Sequence, residues 1–286
     1  MVVRLPMVAS TIILSDLHLG RTTRAAISPE SIAELCAPFD RVVLNGDIYE
    51  AHHPSLKERA TASWHHLQER LHAAGCEIIP IAGNHDAKAF ERRDLFLEDG
   101  LVWVTHGDVL DERIAPWSLS ANKMAKAWNQ AASQMPIHQR LSLQGQLEIS
   151  RAAGFSEWDL KPTDRVPSAG GTSLRKAMRD PSRLISVLRY WKECPDRMLR
   201  FARTTNVKSP ILVLGHSHNA GRWRREDRTI LNTGAFGFPG RPYAVVLNNT
   251  GVALLAVERE DDRYRLAEKP YWSDPWDVVQ AQVSSD

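Results

Sequence analysis

The chain has 286 residues, of which 43% are hydrophobic and 24% are charged, as is usual for a folded soluble domain. Its 36 basic and 34 acidic residues give a formal net charge of +2, so total charge indicates no class of partner. No apolar run approaches the ~20 residues of a membrane-spanning helix, and the first ten residues are too weakly apolar for a secretory signal. We therefore expect one large cytoplasmic domain whose three cysteines are free thiols.

The first 109 residues alternate between predicted strands and predicted helices. Strands are predicted at 12–14, 42–44, 77–81 and 101–105. Ser28 is a typical N-cap for a helix that begins at Pro29. Apolar residues at helical spacing predict a second helix from Ser55 to Ala74, ended by Gly75. This alternation predicts a layered α/β fold.

The alternation stops between residues 110 and 206. This region contains no convincing strand, and its apolar residues recur at helical spacing over 117–128, 141–149 and 184–191. Strands are predicted again at 211–214, 229–234, 243–247, 252–257 and 263–267, and the tail beyond Trp276 is expected to be loosely held. We therefore predict a core made of residues 1–109 and 207–286. Residues 110–206 are predicted to form a helical insert, or cap, over the strand ends.

Five of the predicted strands end in side chains that can bind metals. In open α/β sheets, ligands bind at the carboxyl ends of the strands, so these side chains should lie close together. Each of them alone would be more simply explained as a polar loop residue. The ordered set indicates a metal site. The candidate ligands are Asp16, His18, Asp47, Asn84, His106, His216 and His218.

The chemistry of these ligands indicates divalent cations and a hydrolase. Oxygen and nitrogen donors without cysteine suit manganese first, with iron, zinc or cobalt as alternatives. Seven donors are too many for one tetrahedral ion and favour two ions about 3.5–4 Å apart, sharing a carboxylate and a water. Such a pair makes hydroxide available near neutral pH and stabilises charge on phosphoryl oxygens. We predict a phosphohydrolase in which a metal-bridging hydroxide attacks phosphorus in line.

The motif order DLH, GD, GNHD, HGD and GHSH resembles that of the calcineurin-like metallophosphoesterases. The resemblance extends from Asp16 to His218 and does not cover the insert. It implies a four-layer α-β-β-α sandwich that holds two metal ions, with Asp47 bridging them. By this resemblance, the other ligands of the first ion are Asp16, His18 and His218, and those of the second are Asn84, His106 and His216.

The same resemblance assigns catalytic roles to His85 and Asp86. His85 would lie outside the metal shell, where it stabilises the transition state or protonates the leaving oxygen, and Asp86 would orient it. The alternative for His85 is a structural hydrogen bond. His52 and His53 would either contact substrate or lie on a solvated loop, and Asp108 is expected to support its own loop.

A narrower resemblance concerns the segments GDIYEA at 46–51, HGDVLD at 106–111 and NTG at 232–234, together with the helical insert. This combination resembles the UDP-2,3-diacylglucosamine pyrophosphohydrolase branch, whose members cleave a pyrophosphate in lipid A synthesis and hold acyl chains with the insert. Members of that branch carry arginine in place of His85 and have a shorter insert. The substrate therefore stays open among phosphomonoesters, phosphodiesters and pyrophosphates, either small or lipid-linked.

Residues 175–203 carry nine basic residues against three acids. Such a stretch would bind an anionic membrane surface or a lipid phosphate, or it would be an ordinary solvated helix face. Nucleic acid is not expected as a partner, because no binding motif accompanies the charge.

Two alternative functions are a non-catalytic scaffold, like the retromer subunit on this fold, and a DNA-repair nuclease. Scaffolds of this kind lose metal ligands, and such nucleases usually carry long additional domains.

Overall fold

The computed structural model describes residues 9–21, 27–159, 181–237 and 240–283. The strands in these ranges, numbered β1 to β12, are Thr11–Leu14, Arg41–Asn45, Glu77–Ile81, Asp94–Leu97, Val102–Thr105, Ile211–Leu214, Gly221–Arg225, Arg228–Asn232, Tyr243–Asn248, Gly251–Glu260, Arg263–Leu266 and Trp272–Pro275. The α-helices, numbered α1 to α7, are Pro29–Cys36, Lys57–Ala73, Ala121–Gln134, Ile137–Arg140, Leu143–Gly154, Pro181–Thr204 and Trp276–Val283. All the strands predicted from the sequence are present.

The strands form two sheets, each with a parallel centre. The first has the order β11-β10-β9-β1-β2-β3, with β12 also paired to β10. In it, β1, β2 and β3 are mutually parallel, and β9 is antiparallel to β1. The second has the order β4-β5-β6-β8-β7, in which β5, β6 and β8 are parallel. Six carboxyl strand ends therefore converge from two sheets.

Alternation along β1 shows how the layers are built. Ile13 belongs to a buried cluster made by both sheets, whereas Ile12 and Leu14 belong to a cluster on the opposite face of the first sheet. Successive strand residues point to opposite faces, so one strand serves both interfaces. Helices α1 and α2 cover the outer face of the first sheet, and α5 and α6 contribute to the cluster on the outer face of the second. The result is a mixed α/β fold of two packed sheets flanked by helices, and it confirms the predicted fold class.

Local signals in the sequence position the early helices correctly. The Ser28 hydroxyl accepts a hydrogen bond from the backbone N–H of Ser31, so it caps α1 as predicted. Helix α2 ends at Ala73, and Gly75 follows with a φ of +83°. A residue without a Cβ adopts this left-handed conformation without strain, which explains why the helix ends there.

Three strands and two short helices, α4 and α7, were not predicted. Strands β4, β7 and β12 are short and carry polar residues, so their sequences lack a clear apolar alternation. The tail beyond Trp276 was expected to be loosely held, but it forms α7, in which Val279 is fully buried against the inter-sheet cluster. That expectation is corrected, because Trp276 packs on the same cluster and its indole donates to the Asn248 carbonyl at 2.7 Å, so the helix is docked at more than one point.

Helices α3 to α6 occupy the region predicted as the insert, and no strand occurs in its described parts, 110–159 and 181–206. Residues 160–180, including the basic positions at 175–179, lie outside the described residues. The division between core and insert stays a prediction. None of the described helices combines the length and apolar character needed to cross a bilayer. All three cysteines are buried and free.

Replacing Ile13 with alanine tests the inter-sheet core. Ile13 is fully buried between the sheets, so we expect the substitution to lower the free energy of unfolding by about 2–5 kcal/mol. The matched control is Ile137→Ala, because Ile137 is 57% exposed and should change stability by less than about 0.5 kcal/mol. Urea unfolding followed by circular dichroism measures both. Equal losses for the two variants would contradict the packing described for β1.

Candidate metal centre

The structure brings the predicted ligands together at the carboxyl ends of the parallel strands. Asp16 and His18 follow β1, Asp47 follows β2 and Asn84 follows β3. His106 follows β5 and His216 and His218 follow β6, on the second sheet. Within the described residues, three groups of ligand-type side chains have ligand atoms within 4.8 Å of one another. They are Asp16, His18 and His218; Asp47, His106 and His216; and His18, Glu50 and His85.

Most of the candidate ligands have an unusual backbone. The φ angles of five of the seven are positive: 54° at Asp16, 48° at His18, 49° at Asp47, 60° at His216 and 57° at His218. Non-glycine residues adopt this left-handed region rarely, and such strain concentrates at functional sites. The sharp turns aim short side chains from different strands at a common point.

Two glycines allow the loops to approach closely enough. A Cβ on Gly83 would lie 2.3 Å from Asp47 Oδ1, and a Cβ on Gly215 would lie 2.4 Å from Asp16 Oδ2. Both distances are shorter than any real carbon–oxygen contact without a bond. The glycine before Asn84 and the glycine before His216 are therefore required by the packing of the carboxylates.

Backbone carbonyls fix the orientation of two imidazoles. His106 Nδ1 lies 2.9 Å from the Asn45 carbonyl, so Nδ1 carries the proton and Nε2 faces Asp47 Oδ1 at 3.4 Å. His216 Nε2 lies 3.0 Å from the Ile114 carbonyl, which leaves Nδ1 without its proton. Metal-binding histidines are typically held this way, with one nitrogen donating to a carbonyl and the other facing the ion.

The first group places three donors around one point. Asp16 Oδ2 accepts from the Ser15 hydroxyl at 2.5 Å and from the His216 backbone N–H at 3.0 Å, which directs Oδ1 at His218 Nε2, 3.1 Å away. His18 Nδ1 lies 2.9 Å from Glu50 Oε1, so its Nε2 faces His218 Nε2 at 3.2 Å. Two imidazole nitrogens and a carboxylate oxygen meeting in this way are a suitable cradle for a dication.

Asp47 lies between the two groups. Its Oδ2 is 3.9 Å from His18 Nε2, and its Oδ1 is 3.4 Å from His106 Nε2. The backbone N–H of His85 donates to Oδ1 at 2.9 Å and holds the carboxylate in place. Asn84 is buried in the same loop, directly after Gly83, whose missing Cβ admits Asp47. The donor set consists of oxygen and nitrogen atoms, buried in every residue except His218, and it fits two divalent ions.

His85 is oriented by Glu50 and not by Asp86. His85 Nδ1 lies 2.9 Å from Glu50 Oε2, whereas Asp86 accepts from the backbone N–H groups of Gly83 and Ile48, each at 2.6 Å. The role predicted for Asp86 is therefore corrected, because its side chain points into the loop and ties it to the segment after β2 that carries Asp47. The side chain of His85 is 18% exposed, so it can meet a substrate beside the buried ligands.

Burial and neighbouring carboxylates shift the pKa values in opposite directions. Burial and the Arg21 guanidinium lower the pKa of His18 to about 4, which keeps it neutral as a ligand must be. Burial also opposes protonation of His85, but the Asp47 and Glu50 carboxylates raise its pKa to about 9. Burial and Asp47 raise the pKa of Asp86 to about 7. Against the effect of burial, Asp47 also raises the pKa of the buried His106, to about 10, so it is the partial exposure of His85 that distinguishes it as a proton donor to a substrate.

Sequence reasoning missed Glu50 and left His52 and His53 undecided. Glu50 is 1% exposed and contacts Arg21, His18 and His85. The position of this acid, three residues after Asp47, was a signal in the sequence that it lies near the candidate ligands.

His52 and His53 are buried, so they do not lie on a solvated loop, and the rings of His52 and His85 are 4.2 Å apart. Burial, followed by the charge of His85, lowers the pKa of His52 to about 3.

The region predicted as the insert touches the centre at several points. The Trp191 indole donates to the Ser217 carbonyl at 2.7 Å, between His216 and His218. The Ile114 carbonyl holds His216, as described above. Asp108 supports its loop as predicted, since it pairs with buried Arg93. Through the contacts of Trp191 and Ile114, the region predicted as the insert supports the loop that carries His216 and His218.

No family model matches the chain, and no curated protein matches it. Similar solved structures include a predicted phosphoesterase from Streptococcus pneumoniae, with 15% identity over 94% of this chain and 99% of that chain and a TM-score of 0.41. A dimetal phosphatase from Danio rerio has 11% identity over 88% and 96%, with a TM-score of 0.43. Vps29 from Chaetomium thermophilum has 10% identity over 94% and 100%, with a TM-score of 0.45. All three TM-scores lie below 0.5, and none of these likenesses assigns a function to this chain.

Proposed function

We propose that this chain is a metal-dependent phosphohydrolase with a dinuclear centre. The observation that carries the proposal is the convergence of oriented donors. Asp47 stands between His18 and His106, and carbonyl or carboxylate partners turn the free nitrogens of three imidazoles towards the carboxylates. Two dications held there would lower the pKa of a bound water and neutralise charge on phosphoryl oxygens. Manganese is the metal we expect first, with iron, zinc or cobalt as alternatives.

The residues of the chain divide into holding and proton-moving roles. Asp16, His18 and His218 would hold one ion; Asn84, His106 and His216 would hold the other, and Asp47 would bridge. His85 lies 3.8 Å from Asp47 Oδ2 and is partly exposed, so it is placed to donate a proton to the leaving oxygen. Glu50 orients His85 and His18 at once. Asp86 shapes the loop and does not meet the substrate.

The finer proposal is a pyrophosphohydrolase resembling the UDP-2,3-diacylglucosamine branch. Helix α6 supports it, because three of its apolar side chains are exposed: Leu184 by 41%, Ile185 by 64% and Leu188 by 51%. On the same helix, Trp191 donates to the Ser217 carbonyl, in the loop that carries His216 and His218. Exposed apolar side chains on a helix that also contacts the centre would suit a lipid-linked substrate or peripheral contact with an anionic membrane. A cytoplasmic location accords with this proposal.

The experiment measures phosphoester hydrolysis by protein whose metal ions have been removed with a chelator and then added back. We expect chelator-treated protein to be inactive and Mn²⁺ to restore cleavage of bis-p-nitrophenyl phosphate or p-nitrophenyl phosphate, with Fe²⁺, Zn²⁺ and Co²⁺ compared in parallel. Cleavage of UDP-2,3-diacylglucosamine would support the narrower branch. Turnover of the aryl esters alone would leave a phosphoesterase with another substrate. No hydrolysis with any metal would overturn the proposal and favour a non-catalytic scaffold.

A further inference from the structure

We infer that Arg93 is a positioning residue that holds two metal-binding loops in register through one buried ion pair. Arg93 directly precedes β4 and is 4% exposed. Its Nη1 donates to the Ala82 and Gly83 carbonyls at 3.0 and 3.3 Å, and its Nη2 donates to Asp108 Oδ2 at 2.5 Å. The inference rests on the proposed function, because it concerns the second of the two proposed ions.

The contacts of Arg93 reach the two loops that carry Asn84 and His106, which are proposed to hold that ion. Gly83 immediately precedes Asn84, and Asp108 follows His106 by two residues. The backbone at Arg93 joins the same elements, since the Thr105 hydroxyl donates to the Arg93 carbonyl at 3.1 Å. One guanidinium therefore fixes the distance between a loop of the first sheet and a loop of the second.

A guanidinium is suited to this task in a way that an ammonium is not. Its planar fork presents donors at fixed angles, so two nitrogens reach the adjacent Ala82 and Gly83 carbonyls on one segment and Asp108 on another. The pair is fully enclosed, with Arg93 and Asp108 side chains 3% and 1% exposed. A buried ion pair adds little to stability in general, and its best use is to select one arrangement of the groups around it.

The third partner connects the pair to α5. The Ser150 hydroxyl donates to Asp108 Oδ2 at 2.9 Å and lies 3.2 Å from Arg93 Nη2. At the end of the same helix, a Cβ on Gly154 would lie 3.7 Å from the Asn84 Cα, so α5 also packs on the loop that carries Asn84. The position of α5 is thus tied to the loops that would hold the second ion.

The test is calorimetric titration of Mn²⁺ into the Arg93→Lys variant after a chelator has removed its metal ions. We expect the wild-type chain to bind two ions and Arg93→Lys to bind one of them about 10–100-fold more weakly, with the other unchanged, as is typical when a residue supporting a ligand is altered. The matched control is Arg228→Lys: Arg228 is also buried and donates to a carbonyl, that of Val207, but it lies at the amino end of β8. It should bind both ions as the wild type does. Circular dichroism checks that each variant is folded.

The outcomes separate this inference from the proposed function. If the wild-type chain binds no Mn²⁺, the proposed function fails. If the wild type binds two ions and Arg93→Lys binds both unchanged, or loses both equally, the positioning role is overturned. Should Arg93→Lys fail to fold, Asp108→Asn breaks the same ion pair from its other side and gives the same decision. A selective weakening of one ion supports the role, and unchanged binding of both overturns it.

Discussion

Replacing Asp47 with asparagine is expected to reduce kcat/KM for aryl phosphate hydrolysis by roughly 10²–10³-fold or more. Asp47 is the carboxylate between the two donor groups, with Oδ1 3.4 Å from His106 Nε2 and Oδ2 3.9 Å from His18 Nε2. Asparagine keeps the shape and removes the charge that a bridging ligand needs. Steady-state kinetics at saturating Mn²⁺ measure the loss, and metal analysis of the dialysed protein should show less than the wild-type content.

The matched control for this prediction is Asp261→Asn. Asp261 is exposed in a turn and has a φ of +54°, a conformation that asparagine tolerates well. It should leave kcat/KM unchanged. If Asp47→Asn retained wild-type activity within about twofold, Asp47 would not bridge the proposed ions.

Replacing His85 with alanine is expected to lower kcat by about 10²–10⁴-fold while the metal content stays at the wild-type value. The reason is position: His85 is 18% exposed and contacts Glu50 through Nδ1, so we assign it to proton transfer and not to metal binding. Metal analysis separates the two roles. The control is His72→Ala, on the exposed face of α2, which should change neither quantity.

Glu50 and His85 should behave as one unit. Glu50→Gln is expected to lower kcat by about 10–100-fold, since it weakens the contact that orients His85. In the double variant Glu50→Gln/His85→Ala, the loss should be smaller than the product of the single losses, because the residues act through one another. Strictly multiplicative losses would show that Glu50 acts elsewhere.

The placement of the candidate metal ligands was predictable because strand direction dictates it. Each candidate follows an apolar run that forms a parallel strand, and parallel strands bring their carboxyl ends to the same edge. Asp16 and His216 thus meet across two sheets although they are 200 residues apart. Only the apolar runs and the identity of the residues at each strand end were needed.

The partner of His85 was not predictable in the same way. Asp86 is adjacent to His85 in sequence, but the loop directs its carboxylate onto the backbone of Gly83 and Ile48. Loop dihedral angles decide which of two nearby acids reaches the His85 imidazole. The acid that reaches it is Glu50, which lies on another loop, three residues after Asp47. The role of Arg93 left no signal at all, since a buried arginine and an exposed one look alike in sequence.

The short outer strands show a similar limit. Strand β7 contains Arg222, Arg224 and Arg225 and lies at the edge of its sheet, so no apolar alternation marks it. An edge strand pairs its backbone on one side only, and its faces are only partly buried. Its sequence therefore need not show the apolar alternation of a central strand. The helix at the C-terminal end of the described chain was missed because its burial depends on few side chains, Val279 among them.

The central claim is that this chain holds two metal ions between its sheets, and an anomalous difference map from Mn²⁺-soaked crystals tests it most directly. The account predicts two peaks, one within coordination distance of Asp16, His18 and His218 and the other within coordination distance of Asn84, His106 and His216, with Asp47 touching both. A single peak, no peak, or peaks away from these seven residues would contradict it.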